Sequence, residues 1–307
     1  MRLLLILSLS IILTAACNTD EDPIVANLAT LMDNATNSPS KDSYNAYFNA
    51  VNDFLVNNKD DKQTIKPILE QASKFATDQS QHGKAIGYLT ALIKTTQKDC
   101  QSDPATVLTL AQSMRSLNKT HAASVIYSNY KEKNPSAAKD DNLERLLTDL
   151  SQSPTRYIDT IFEQVFRNPD QFGLNRSAAL QFVDVAEAQA LSDPCNPKSP
   201  DYLYRAGEIA RSIRTLPKAL GIYDWILEEY PDFIKTPTVY FLKGFILENN
   251  VEDKDGARKM YRQFVDKYPD HEMADDARFL LENLDKSDEQ ILEILEEKQK
   301  EKAAQNQ

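Results

Sequence analysis

PDYLYRAGEIARSIRTLPKALGIYDWILEEYP, residues 200–231, carries evenly placed landmarks. Ser199 and Pro200 read as a helix start, with a side-chain acceptor at the N-cap and a residue lacking an N–H at the first helical position. Gly207 follows seven residues after Pro200, Ala219 twelve later, Tyr223 four beyond that, and Pro231 eight further on. The same intervals recur in 104–135, through Pro104, Ala111, Ala123, Tyr127 and Pro135. They recur again in 237–269, through Pro237, Gly244, Ala257, Tyr261 and Pro269, with one extra residue in the NNVEDKD turn.

These units describe a repeat of about 34 residues built from two helices. Small residues at two facing positions let the helices approach closely. The tyrosine plugs the joint with the next repeat, and the proline ends the second helix. Asp103-Pro104 and Thr236-Pro237 read as starts of the Ser199-Pro200 kind. A weaker copy at 66–99 keeps Ser73, Ala85, Leu89 and Leu92 but lacks the closing proline.

Outward from these units, nearly everything from residue 24 has the apolar spacing of an amphipathic helix. Tyr44, Tyr47, Phe48, Val51 and Leu55 show it, as do Ile24, Leu28, Leu31 and Met32. Residues 139–191 are helical but off the pattern. No run of period-two alternation appears. The expected fold is all-α, a solenoid of helical hairpins over 24–284 with about fifteen helices. Residues 285–307, amphipathic at Ile291, Ile294 and Leu295 and then wholly polar, form its C-terminal capping helix and tail.

Composition narrows the function. Seven glycines in 307 residues leave little for phosphate-cradling loops. A formal charge of -11 opposes nucleic-acid binding, whose footprint is a basic patch. His82, His121 and His271 are scattered, and no sequence motif of a hydrolase, kinase, dehydrogenase or zinc enzyme is present. The stretch KYPDHEMADDARF, 267–279, crowds Asp270, His271, Glu272, Asp275 and Asp276 together. Overlaid on 229–241, these residues fall at ordinary helix-entry positions, so no metal and no cofactor is expected.

The N-terminus carries an address. MRLLLILSLSIILTAAC has one positive charge and an apolar run from Leu3 to Leu13, the plan of a secretory signal. LTAAC resembles the bacterial lipobox, with Thr14 where Leu is usual, a looseness known in the Bacteroidetes. The resemblance implies a signal peptide over 1–16, lipidation of Cys17 and an acidic tether over 17–23. Asn18, where Asp would resemble an inner-membrane retention signal, favours the outer membrane. Asp20, Glu21 and Asp22 resemble a surface-export signal of Bacteroidetes lipoproteins, or are a plain solvated tether. Cys100 and Cys195 fall several helices apart in the expected fold, so both are expected as unpaired thiols.

The landmark spacing resembles the tetratricopeptide repeat (TPR). The family's small residues fall on Gly207 and Ala219, its aromatic on Tyr223 and its closing proline on Pro231. Its early Trp is absent, with Leu203 and Tyr240 in that place. YDWILEEYPDFIKTPTVYFLKG and YRQFVDKYPDHEMADDARFLLE look like repeats of envelope TPR proteins. Those include the TPR lipoprotein of the outer-membrane β-barrel assembly machine and the Tol–Pal-associated periplasmic coordinator. The resemblance implies a partner groove on the first helices of the units. Its positions are Leu108, Gln112 and Arg115, then Tyr204, Glu208 and Arg211, then Phe241, Phe245 and Glu248. Phe241 and Phe245 could equally be buried between helices.

The resulting expectation is a non-enzymatic adaptor in the bacterial outer membrane, facing the periplasm or the cell surface, with a protein or peptide in its groove. Two other readings stand beside it. One is a nutrient- or glycan-binding lipoprotein resembling the SusD type, against which the short helix connections argue. The other is an envelope hydrolase whose site has no sequence signature.

Overall fold

The computed structural model describes residues 23–97, 101–135, 153–167 and 173–305. Among these residues it is all-α, a TPR-like helical solenoid of fourteen α-helices against the fifteen or so expected. The expected signal peptide, Cys17 and the expected tether as far as residue 22 lie outside the described residues, whereas Pro23, expected in the tether, opens the first helix.

The chain divides into two compact units, 1–68 and 69–307. In the first, α1 (Pro23–Asn37) and α2 (Lys41–Asn57) pack as a pair. Ser40 starts α2 with a reciprocal cap. The Ser43 N–H donates to Ser40 Oγ, and the Ser40 N–H donates to Ser43 Oγ, each at 3.0 Å. Tyr47, Phe48, Val51 and Phe54 are buried, with Phe54 taking the place expected for Leu55. Burial pushes the Tyr47 hydroxyl up to about 12. The helix α3 (Lys62–Asp78) runs across the boundary between the units.

The second unit holds α4 (His82–Thr96), α5 (Pro104–Ser116), α6 (Thr120–Lys133), α7 (Pro154–Val165) and α8 (Arg176–Ser192). It continues with α9 (Ser199–Ser212), α10 (Leu216–Glu229), α11 (Thr236–Ile246), α12 (Lys254–Lys267), α13 (Ala274–Asn283) and α14 (Asp288–Gln305). The pairs α5–α6, α9–α10 and α11–α12 are the three spaced units, and each packs as a hairpin. Ser73, Ala85, Leu89 and Leu92 of the weaker copy are all buried.

The landmarks act through contact. A β-carbon on Gly207 would stand 2.4 Å from Tyr223 Cε1, and one on Gly244 would stand 2.7 Å from Tyr261 Cε1. So each tyrosine ring lies on the small residue of its own unit. It reaches the next unit as well, since Tyr261 shares a buried cluster with Ala257 and Leu284. Pro135, Pro231 and Pro269 each stand two residues past a helix end. The intervening Asn134, Tyr230 and Tyr268 have left helical geometry (ψ 71, 54 and 57), as a residue before proline does.

The turns after α3, α5, α9 and α11 each carry one non-glycine residue with positive φ: Ser80 (55°), Asn118 (60°), Arg214 (60°) and Glu252 (61°). The next N–H then closes the first helix, as in Lys119 to Met114 O at 2.9 Å and Thr215 to Ala210 O at 2.8 Å. In the third unit that bond runs one residue further, from Asp253 to Leu247 O at 2.8 Å. The extra residue read from the sequence is accommodated here, because 247–251 forms a π-helical turn.

Two expectations are corrected. Asp103 caps α5, accepting from the Thr106 N–H at 2.8 Å, but Ser199 and Thr236 are not N-caps. Their hydroxyls point backward and donate to Asp193 O at 2.8 Å and Tyr230 O at 2.9 Å, six residues upstream in both cases. Both residues are buried, so these bonds satisfy hydroxyls that water does not reach. Cys195 is disulfide-bonded, not an unpaired thiol. The expectation failed because it took distance along the repeat for distance in space. Ser102 Oγ donates to Leu191 O at 2.8 Å, which brings the entry of α5 beside the end of α8. Cys17 and Cys100 lie outside the described residues.

The off-pattern region resolves around α8. This helix is buried on nearly all sides, and α6, α7 and α9 pack on it. Its alanines at 178, 179, 186, 188 and 190 leave room for several neighbours. Its buried polar end is satisfied, since Asn129 Nδ2 donates to Gln189 Oε1 at 2.9 Å and to Ser192 Oγ at 2.8 Å.

Candidate partner-binding face

The groove positions on α9 form a connected group. Arg211 forks onto Glu208, with Nε to Oε1 at 3.3 Å and Nη2 to Oε2 at 3.2 Å. The Tyr223 hydroxyl, rising from α10 behind Gly207, donates to the same Oε1. Burial foremost, then the charge of Glu208, drives the Tyr223 pKa up. Tyr204 is half-buried, with its ring 6.3 Å from that of Phe233 and Lys235 Nζ at 5.7 Å from its centroid. An aromatic face, a cation and a braced acid are therefore presented by α9 and the turn between α10 and α11.

On α11 the two phenylalanines part. Phe241 packs inward, 5.9 Å from the Tyr261 ring and 6.2 Å from the Phe264 ring. Phe245 is 40% exposed. Glu248, in the π-helical turn, accepts the Tyr261 hydroxyl at 2.7 Å. On α5, Leu108 is partly buried, while Gln112 and Arg115 are exposed. No hydrogen bond or ion pair ties these three side chains to the α9 and α11 residues.

Some features gave no advance signal. Lys94 of α4 stands 3.8 Å over the ring of Trp225 on α10. Lys243 of α11 pairs with Asp224 of α10 and fastens one hairpin to the next. Contacts between distant helices leave no local spacing to read. A cavity of about 520 Å³ opens beside Pro104, Val107, Tyr130, Lys133, Asn134 and Asp193. Its one cation among the described residues, Lys133, is already held by Asp193 and by Ser192 O, both at 2.8 Å.

The crowded segment 270–276 serves local structure. His271 Nδ1 accepts the Met273 N–H at 3.2 Å, and its ring stands edge-on to Phe264. Asp275 pairs with Arg278 at 2.7 Å. Among the described residues no three of His, Cys, Asp and Glu gather as metal ligands do.

Residues 238–271 match the tetratricopeptide repeat. That segment covers α11 from its third residue, its π-helical turn and α12, and its ends lie within two residues of the unit 237–269 read from spacing. Repeats of this kind mediate contacts between proteins. A search of curated proteins finds no match.

Proposed function

We propose that this protein is a membrane-anchored, non-catalytic TPR adaptor that holds a protein or peptide partner in the bacterial cell envelope. The observation that carries the reading is the TPR match over a hairpin whose first helix leaves Phe245 in water. An exposed aromatic, half-buried Tyr204 and the Glu208–Arg211 pair supply the residue types that anchor interfaces. No helix among the described residues is long and apolar enough to cross a membrane. The anchor in this reading is a lipid on Cys17, which the LTAAC stretch supports. The disulfide at Cys195 supports an oxidising compartment, which agrees with export by the leader.

A photoreactive residue at Tyr204 or Phe245, in the lipidated protein within its native envelope, tests the groove. A discrete cross-linked partner is expected. Equal cross-linking from exposed positions elsewhere would reject it. Palmitate labelling that is lost in Cys17→Ala tests the anchor, and unchanged labelling would reject that part.

A further inference from the structure

Two of the three clear units satisfy their buried tyrosine in the same way. The Tyr223 hydroxyl donates to Glu208, one residue after Gly207. The Tyr261 hydroxyl donates to Glu248 Oε2 at 2.7 Å, four residues after Gly244. In each, the first helix lends a carboxylate to the ring of the second. These positions lie about one turn apart on one helix face, so either can reach the hydroxyl.

The α5–α6 unit breaks the rule. Tyr127 is as buried as its counterparts, at 1% exposure, and its hydroxyl has no partner among the described residues. The position of Glu208 is taken by Gln112, and that of Glu248 by Arg115. Neither is acidic and both are exposed. The Arg115 guanidinium makes no ion pair among the described residues. By spacing it holds the place that Arg211 holds in the α9–α10 unit, and its charge opposes the upward pull of burial on the Tyr127 hydroxyl. In the α9–α10 unit its counterpart Arg211 forks onto Glu208. So the two donors of that arrangement, phenol and guanidinium, are repeated in the α5–α6 unit, and the carboxylate between them is not.

We propose that the α5–α6 unit binds a carboxylate from outside the chain, an acidic side chain of the partner, between the Tyr127 hydroxyl and Arg115. It would sit as Glu208 sits between Tyr223 and Arg211. This deepens the adaptor reading and rests on it. A charged acceptor is what the site lacks: hydrogen bonds to ionised groups are stronger than neutral ones, and a buried donor without any acceptor is costly. Gln112 and Arg115 are both exposed, so their side chains can rotate to admit it. The net charge of -11 works against acidic ligands over the molecule as a whole, so binding here depends on these two donors.

The test is an NMR titration of the mature chain, following the Arg115 Nε–Hε signal. Three probes are used: N-acetyl-glutamate N-methylamide, its glutamine counterpart, and N-acetyl-alanine. The glutamate compound is expected to give a saturable shift and the glutamine compound none. Tyr127→Phe should weaken the glutamate compound about tenfold or more, since one hydrogen bond to a charged group is lost. Gln112→Glu should abolish saturation by supplying the carboxylate from within, while melting at the same temperature or higher. Equal shifts from the glutamine compound, or unchanged binding in Gln112→Glu, would overturn the proposal. Saturation by N-acetyl-alanine alone would overturn it in favour of a chain-terminal carboxylate. If no probe saturates while Phe245 still cross-links a partner, this site fails and the adaptor reading stands.

Discussion

The Tyr223 ring lies against Gly207 so closely that a β-carbon at 207 would stand 2.4 Å from Cε1. The ring is fully buried and its hydroxyl is held by Glu208, so it has nowhere to swing. Gly207→Ala gains about 1 kcal/mol of helix propensity, yet it must push the ring and its helix apart. Overpacking of this kind costs about 1–3 kcal/mol. We therefore expect a net loss of stability in urea melts followed by circular dichroism. Gly221→Ala is the control. It is exposed within α10 with nothing within 4 Å of its added carbon, and it should stabilise by about 1 kcal/mol. If both variants moved stability in the same direction, the contact would not be what selects glycine at 207.

A second prediction concerns the hairpin turns. Arg214 holds φ 60° and Glu252 holds φ 61°, a conformation in which a β-carbon crowds the backbone. Both side chains are exposed. Arg214→Gly and Glu252→Gly should each stabilise by up to about 1 kcal/mol, less whatever freedom glycine restores to the unfolded chain. Thermal melts decide it, and a clear drop in Tm for both would show that the turns carry no such strain.

The first prediction shows why the fold was legible in sequence. A steric contact such as Gly207 with Tyr223 imposes residue size at a fixed interval, and intervals survive in a linear string. The extra residue before Ala257 could be counted in the same way, although its form as a π-helical turn could not. Ser199 and Thr236 were misread because Ser-Pro and Thr-Pro are spelled alike whether the hydroxyl caps forward or donates backward. The disulfide at Cys195 and the contact of Lys94 with Trp225 depend on helices far apart in sequence, so no spacing encodes them. At the candidate face, Phe241 and Phe245 sit one turn apart on one helix. Only their surroundings separate an inward ring from an exposed one.

Alkaline pH should unfold the protein through its tyrosines. Burial raises the pKa of Tyr202, Tyr223, Tyr230 and Tyr261 above the ordinary 10.0, and neighbouring carboxylates add to the rise. A group whose pKa is higher folded than unfolded lends its full stability below the unfolded value. That stability is lost as pH climbs from the unfolded value through the folded one. We expect phenolate absorbance and helix loss to appear together, above pH 10 and in one transition. Smooth titration of all tyrosines near pH 10 with helicity intact would contradict this.

Lys94 gives the last prediction, with Trp225 as its reporter. The chain has one tryptophan, 2% exposed, so its emission reports this contact alone. Desolvation lowers the Lys94 pKa, and Glu187 and Glu228 only partly offset it. The folded state therefore disfavours the ammonium, and stability is lost as pH falls below the unfolded value of about 10.5 for lysine. At neutral pH the charge is a cost, set against a cation–π attraction of about 0.5–2 kcal/mol. Lys94→Met keeps the apolar stem on the indole and removes the desolvated charge. We expect a higher Tm at pH 7, a smaller gain at pH 10, and a shifted Trp225 emission in the native state. A lower Tm at pH 7 would mean that attraction to the ring outweighs desolvation, and that Lys94 acts as a clasp between α4 and α10.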